Sequence, residues 1–296
     1  MDNGRRGVTR RVLTIIAIAV VIALVWVTVT TLWLWHNQER VVFQPPSAWA
    51  EAPRPARRVT FRAADGHDLF GYVVPSRDTQ DTATVLIAFH GNADLAAWTV
   101  PWAREIAERA GTAVFIPEFR GYAGIPGSPT YESAAADARG ALAFAIDSLG
   151  AAEIVLFGHS LGSAIATELA LHMQETRRIR PRALVLQSPF TSAMEMGARM
   201  LVPPFPWLWS RISRVHYDTR KLVAQLDVPV FVVHGARDLN IPSRMGIQVF
   251  RAARRPGDLL LVPGAGHNDV ADVGAERYWQ WLTGAITGAV ATTAGP

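Results

Sequence analysis

The sequence predicts an α/β fold: a mostly parallel β-sheet with helices on both faces, led by an antiparallel hairpin and preceded by one transmembrane helix. Three observations predict it. Six short apolar runs alternate with stretches long enough for helices, the pattern of buried parallel strands and their crossovers. Ahead of them, two β-prone runs flank an Asp-Gly pair, a hairpin signal. Ahead of those, 24 residues pass without a charge.

Composition supports a packed domain. The chain has 296 residues, half of them apolar and 18% charged, which excludes a disordered polymer. It has no cysteine, so a disulfide framework, a thiolate zinc site and a cysteine nucleophile are excluded. Its net charge is +4, of which +3 lies in residues 1–11, where Arg5, Arg6, Arg10 and Arg11 face only Asp2. The remainder is nearly neutral and carries no basic face, so no nucleic-acid partner is expected.

Taken in order, residues 1–11 read as a basic cytoplasmic tail. Residues 12–35 form a helix of about 36 Å, enough to cross a hydrocarbon core of about 30 Å. The arginines before it place the N-terminus in the cytoplasm and the rest on the extracytoplasmic side. The segment reads as a retained signal anchor rather than a cleaved signal peptide. It exceeds a signal's apolar core, and the small-x-small triplet Ala48-Trp49-Ala50 lies well past its end. Residues 36–57, with Pro45, Pro46, Pro53 and Pro55, read as an extended linker holding the domain off the bilayer.

The folded domain is expected over 58–288, with a short tail at 289–296. Arg58–Phe61 and Leu69–Val74 make the hairpin, joined at Asp65-Gly66 by a type I′ turn. Parallel strands are expected at Val85–Phe89, Ala113–Ile116, Ile154–Phe157, Ala183–Leu186, Val228–Val233 and Leu259–Val262. Helices are expected at Ala97–Ala110, Tyr131–Leu149, Leu161–Gln174, Arg244–Ala253 and Ala275–Ile286.

The chemistry concentrates at the strand ends. Ile154 to Ala164 reads as an apolar strand, the pentapeptide Gly158-His159-Ser160-Leu161-Gly162, and an alanine-rich helix. That is the context of a nucleophile elbow, in which a tight strand-to-helix turn holds a serine hydroxyl above the sheet. A serine hydroxyl needs a base, and the base needs an orienting acid. His267, in the Gly-rich loop after the last strand, is the expected base. His159 is expected to pack within the elbow.

Asp238, in the loop after Val230–Gly235, is the expected acid; Asp269 is the runner-up, better placed to cap the next helix. The backbone N–H groups of Asn92, after the first parallel strand, and of Leu161 are the expected oxyanion hole. His90 is expected to orient that loop. There is no Walker loop, dinucleotide fingerprint or His-Glu-x-x-His helix, so neither a cofactor nor a catalytic metal is expected.

With these residues in place, the chain from about Val59 to Leu282 resembles the α/β-hydrolase superfamily. Within it, the chain is most similar to the single-span membrane-anchored branch that includes lysophospholipid and monoacylglycerol lipases and protein depalmitoylases. The resemblance rests on His90-Gly91-Asn92-Ala93, Phe119-Arg120-Gly121-Tyr122, the elbow, Ser188-Pro189-Phe190-Thr191-Ser192, His234-Gly235 with Asp238 and Ile241-Pro242, and Gly266-His267-Asn268-Asp269. It implies the same triad, Ser160, Asp238 and His267. Departures fall at Ala123–Ser128, at Glu118 where the family commonly has Asp, and at Ser163 where a second Gly is common.

Residues 189–217 form a short cap, rich in Met, Trp and Phe and broken by prolines. It reads either as a helix packed on the core or as a lid that binds acyl chains. In both cases the pocket beneath is apolar, with Met194, Trp207 and Trp209 as its candidate substrate-binding residues. The expected activity is hydrolysis of carboxylic esters or thioesters of small or lipid acyl groups. The alternative is a membrane-anchored binding protein that keeps the fold without the catalysis.

Overall fold

A computed structural model describes residues 2–48, 51, 53–76, 84–176 and 179–288. Trp49 and Ala50 of the small-x-small triplet, and the tail 289–296, lie outside them. In chain order the elements are α1 (Asp2–Val42), β1 (Arg57–Arg62), β2 (Asp68–Val74), β3 (Thr84–Phe89), α2 (Ala96–Ala110), β4 (Ala113–Pro117), α3 (Tyr131–Asp147), β5 (Glu153–His159), α4 (Leu161–Thr176), β6 (Pro181–Gln187), α5 (Ala193–Met200), α6 (Phe205–Ile212), α7 (Thr219–Val223), β7 (Val230–Gly235), α8 (Ser243–Ala252), β8 (Pro256–Val262) and α9 (Val270–Thr287).

The eight strands form one sheet in the order β1-β2-β4-β3-β5-β6-β7-β8. β1 pairs antiparallel with β2, and β2 antiparallel with β4; every later pairing is parallel. The strand order turns back after β3, so the chain leaves β3 and β5 in opposite directions and opens a crevice at their carboxyl ends. β3 and most of β5, β6 and β7 are buried, as continuous Val, Ile, Leu and Phe runs covered on both faces require.

Two expectations are corrected. The hairpin turn is not type I′: β1 and β2 close on the pair Arg62 and Asp68, leaving a five-residue loop. Within that loop Gly66 takes a positive φ of 87° and Asp65 does not. A longer loop needs only one left-handed residue, and Asp65 is held by donation from His67 N and from the Arg120 guanidinium.

The second correction concerns the linker. α1 does not stop at Trp35 but continues to Val42, just before Pro45-Pro46, so the first third of 36–57 is helical. Leu34, Gln38 and Phe43 are buried against the domain. From Val8 to Val42 the helix is long and apolar enough to cross a membrane, and its most apolar window is unburied.

One half-buried carboxyl beside the cap carries a stability prediction. Glu168 on α4 accepts a hydrogen bond of 2.6 Å from Tyr131 Oη, and burial outweighs that bond and pushes its pKa up from 4.5 to about 7. A pKa raised on folding gives stability that is full below about 4.5 and lost as pH rises through about 7. Glu168→Gln is therefore expected to unfold at higher urea than the wild type at about pH 8, by on the order of 1 kcal/mol allowing for partial exposure. An unchanged pH slope between the two proteins would refute the assignment.

Candidate active site

β5 ends at His159 and α4 starts at Leu161, leaving Ser160 alone at the corner with a φ of 53°. A side chain other than glycine's cannot be left-handed without strain, of order 1–3 kcal/mol, and here the surroundings enforce it. A Cβ on Gly158 would run into the backbone of Gly162, and one on Gly162 into the carbonyls of Phe89 and His90. Strand, turn and helix cross too closely for any other residue at those two positions. Ser160 N donates to Gln187 O on β6 at 2.9 Å, which ties the corner to the next strand.

Three loops bring their side chains to this corner. The loop after β8 carries His267, whose Nε2 lies 3.0 Å from Ser160 Oγ. The loop after β7 carries Asp238, whose Oδ2 lies 2.6 Å from His267 Nδ1. Because an ionised carboxylate only accepts, Nδ1 carries the proton and Nε2 is left to accept from the serine hydroxyl.

Asp238 is buried and accepts further bonds at Oδ1 from Asn240 N at 2.9 Å and Ile241 N at 2.8 Å. His234 Nε2 lies 2.8 Å from Ile241 O and 3.2 Å from Asp238 Oδ2, and so donates between them. Burial alone would raise the Asp238 pKa, but the donors around it prevail and hold it well below the usual carboxylate range. It is ionised across the whole physiological range. Asp269 does not reach His267. Its Oδ1 accepts from Gly266 N at 2.6 Å, and although it stands at the N-cap of α9 its side chain makes no cap bond.

The loop after β3 supplies the other side of the corner. Asn92 and Leu161 flank Ser160 in one cavity wall. Leu161 opens α4, so its N–H has no acceptor within the helix. The Asn92 side chain is fully engaged: Oδ1 accepts from Gln44 N and Tyr122 Oη, each at 2.8 Å, and Nδ2 donates to Val42 O at 2.6 Å. The C-terminal end of α1 is thus bolted to the loop beside Ser160.

Beneath that loop, His90 Nε2 lies 2.9 Å from Glu118 Oε1 and Nδ1 2.9 Å from Gly91 O. Glu118 also accepts from Ala96 N and Phe119 N. Burial opposes a charge on His90, but Glu118 and Asp94 outweigh it and raise its pKa. Both ring nitrogens face an acceptor, which fixes the loop. His159 behaves in the opposite way: burial, reinforced by nearby His267, pushes its pKa down to about 3. It is neutral, and its Nε2 donates to His267 O at 3.2 Å, steadying the loop that carries His267.

Two cavities meet at Ser160. One, of about 680 Å³, runs beneath the cap between α1 and the sheet and is lined by Leu34, Phe190, Met196, Met200, Trp209 and Ile241 among others. The other, of about 840 Å³, lies on the His267 side and is more polar, with Asp94, Glu105, Gln187 and Asp272 in its walls. Of the three substrate-binding residues expected from sequence, the structure puts Trp209 in the apolar wall and leaves Met194 and Trp207 out of it.

Helix phase is the reason for that correction. Trp207 and Trp209 lie two residues apart on α6, about 200° around the axis, so only one can face inward. Trp209 does, against Gly197, while Trp207 is 62% exposed. On α5 the methionines that line the cavity are Met196 and, at its rim, Met200, about one turn apart, and Met194 is not among them. Sequence reasoning missed these two, together with Leu34, Gln44, His234 and Gln187. A turn-by-turn phase count on the cap would have found Met196 and Met200 as a pair.

A family model described as "alpha/beta hydrolase fold" matches residues 84–216, the segment with the elbow and the loop of Asn92. Uncharacterized protein Rv2307c of Mycobacterium tuberculosis is 34% identical over 246 residues, covering 80% of this chain and 83% of that protein. The chain belongs to the alpha/beta hydrolase family. Human alpha/beta hydrolase domain-containing protein 17B is 27% identical over 199 residues, 67% of this chain and 63% of that one. Among solved structures, the Pyrococcus furiosus esterase Pf2001 superposes with a TM-score of 0.64 at 18% identity, over 81% of this chain and 96% of the esterase. At that identity the likeness is one of fold.

Proposed function

We propose that this chain is a serine hydrolase that cleaves carboxylic esters or thioesters of apolar acyl groups, held in a membrane by α1 with its N-terminus in the cytoplasm. The observation that carries the reading is the unbroken chain Ser160 Oγ, His267 Nε2, His267 Nδ1, Asp238 Oδ2, at 3.0 and 2.6 Å, at the junction of an apolar and a polar cavity. The apolar cavity takes the acyl chain and the polar one the leaving group.

In this reading Ser160 Oγ attacks the acyl carbonyl carbon while His267 Nε2 takes the hydroxyl proton. The oxyanion forms against the N–H groups of Asn92 and Leu161, at the N-terminus of α4, whose dipole favours negative charge. As the carbon–oxygen or carbon–sulfur bond breaks, His267 returns the proton to the departing atom. Water then attacks the acyl carbon as His267 accepts its proton, the bond from that carbon to Ser160 Oγ breaks, and His267 returns the proton to Oγ as the carboxylic acid leaves. Asp238 keeps Nδ1 protonated throughout and stabilises the imidazolium.

A fluorophosphonate probe on membranes holding the full chain tests this reading. The expected result is a single adduct on the peptide containing Ser160; absence of labelling would overturn it. The cavity adds a chain-length expectation. Each buried CH₂ is worth about 0.8 kcal/mol, so kcat/KM should rise about fourfold per carbon from acetyl upward until the cavity is full. Trp209→Ala should lower the ratio of octanoyl to acetyl hydrolysis. Equal turnover of the two esters by the unmodified protein would remove the acyl-binding role from the cavity.

A further inference from the structure

The cap and the apolar helix are not separate. Trp26 of α1 and Phe205 of α6 meet edge to face, ring centroids 5.2 Å apart. Further along, Gln38 Oε1 accepts from Arg214 N at 2.5 Å, and Arg214 forms a two-pronged bond with Glu39 and lies over the Trp35 ring at 4.7 Å. Between Trp26 and Gln38 a helix rises about 18 Å. α6 therefore lies along the last third of α1, its start beside Trp26 and its end beside Gln38.

Where Trp26 sits in a bilayer follows from the charges. A hydrocarbon core of about 30 Å takes about 20 helical residues. Any such stretch drawn from the charge-free segment 12–35 includes Trp26, and ends five to nine residues beyond it, or about 8 to 14 Å. Phe205 shares that depth, and with it the turn leading into α6.

The surface of the cap fits such a position. Val202 and Trp207 are 64% and 62% exposed and Met200, at the cavity's rim, 67%, an apolar display within eight residues that a domain in water avoids. From residue 196 to residue 217 the chain carries Arg199, Arg211 and Arg214 and no carboxylate. Arg211 lies over the Trp207 ring at 5.7 Å, about one turn farther along α6 from its Trp26 end. An apolar face rimmed by arginine is the composition of an element that lies within a lipid surface.

Resting on the hydrolase reading above for its consequence, we propose that the cap is itself a membrane-inserted element: residues 200–208 lie below the lipid surface of the leaflet on the C-terminal side of α1. The apolar cavity, lined by Leu34 of α1 and Met200 and Leu201 of the cap, then lies at the level of the lipid surface. Its substrate class is bilayer-resident acyl esters, whose chains pass from the leaflet into the cavity sideways without crossing water.

The absence of cysteine makes the test direct. Val202→Cys, Trp207→Cys and, on the exposed end of α3, Asp147→Cys are each labelled with an environment-sensitive fluorophore in the full chain. The proteins are reconstituted in phosphatidylethanolamine and phosphatidylglycerol vesicles. The first two labels are expected to be quenched by lipids brominated along the acyl chain and protected from aqueous iodide, and the Asp147→Cys label the reverse. The proposal is overturned if the cap labels behave as the α3 label does, or are shielded from both quenchers, as a second copy covering the patch would produce.

A kinetic arm reads the consequence. Val202→Asp combined with Trp207→Asp, neither residue lining the cavity, should slow hydrolysis of a vesicle-embedded long-chain ester by about tenfold or more while leaving a water-soluble butyryl ester unchanged. Equal loss on both substrates, or no loss on either, overturns the sideways route. A wild-type chain that hydrolyses neither ester defeats the hydrolase reading instead, and the quenching result still decides where the cap lies.

Discussion

Ser160→Ala in the full chain is expected to abolish fluorophosphonate labelling and to lower kcat for an octanoyl ester by on the order of 10⁶, the scale on which serine hydrolases respond to loss of the nucleophile. The effect is large because nothing else in the chain can replace the hydroxyl. The sequence has no thiol, and the corner geometry that exposes one side chain to both cavities is built around this position alone by Gly158 and Gly162. The fold should survive. Alanine removes one oxygen and its hydrogen bond to His267 while keeping the backbone at the corner, whose bond to Gln187 O does not involve the side chain. Affinity for a product-like fatty acid should change little, since the apolar cavity keeps all its walls. Turnover within about tenfold of the wild type would mean that another group attacks the ester.

The parts of this site that could be read from sequence are those set by local chain geometry. Ser160 is legible because a strand, two glycines and a helix occupy eleven consecutive residues, and only one kind of corner satisfies them. Asp238 and His267 are legible because each follows an apolar strand by a few residues, which places it at the same end of a parallel sheet. Asn92 is legible on the same ground, though its engagement with Val42 and Gln44 is not.

What was not legible depends on packing between distant segments. Pro45 and Pro46 speak for extended chain, and they do end α1, but nothing local says that residues 36–42 stay helical. The contacts that hold them, from Gln38 to Arg214 N and from Glu39 to the Arg214 guanidinium, span about 175 residues of sequence. The cap failed for a different reason. Each cap helix is only eight residues long with few polar residues, Glu195 and Arg199 on α5 and Ser210 and Arg211 on α6, so residue type alone does not separate Trp207 from Trp209 and only a turn-by-turn phase count does. In the proposed arrangement Trp209 meets the cavity and Trp207 meets lipid.

Asp238→Asn is expected to lower kcat by about 10⁴ while changing KM little, because it inverts the base rather than removing it. Asp238 is not in the wall of the acyl cavity, so substrate binding does not depend on it. An asparagine oxygen can still accept from Asn240 N and Ile241 N, which leaves the amide nitrogen facing His267 Nδ1. That nitrogen donates, so Nδ1 must accept and the proton moves to Nε2, where it points at Ser160 Oγ and cannot take the hydroxyl proton. The carboxylate also carries a stability signature with a definite sign. A pKa depressed on folding gives stability that is present above the unfolded value of about 3.9 and lost as pH falls below it toward the folded one. The wild type should therefore lose stability through this group in acid, and the asparagine variant, having no proton to take up there, should show a shallower acid limb in urea unfolding. Asp269→Asn provides the comparison. Its carboxylate holds only Gly266 N and makes no bond to the imidazole, so its substitution should cost activity modestly through loop position. If Asp269→Asn proves the more damaging of the two, the acid has been assigned to the wrong loop, and the short bond between Asp238 and His267 does not carry the orienting charge.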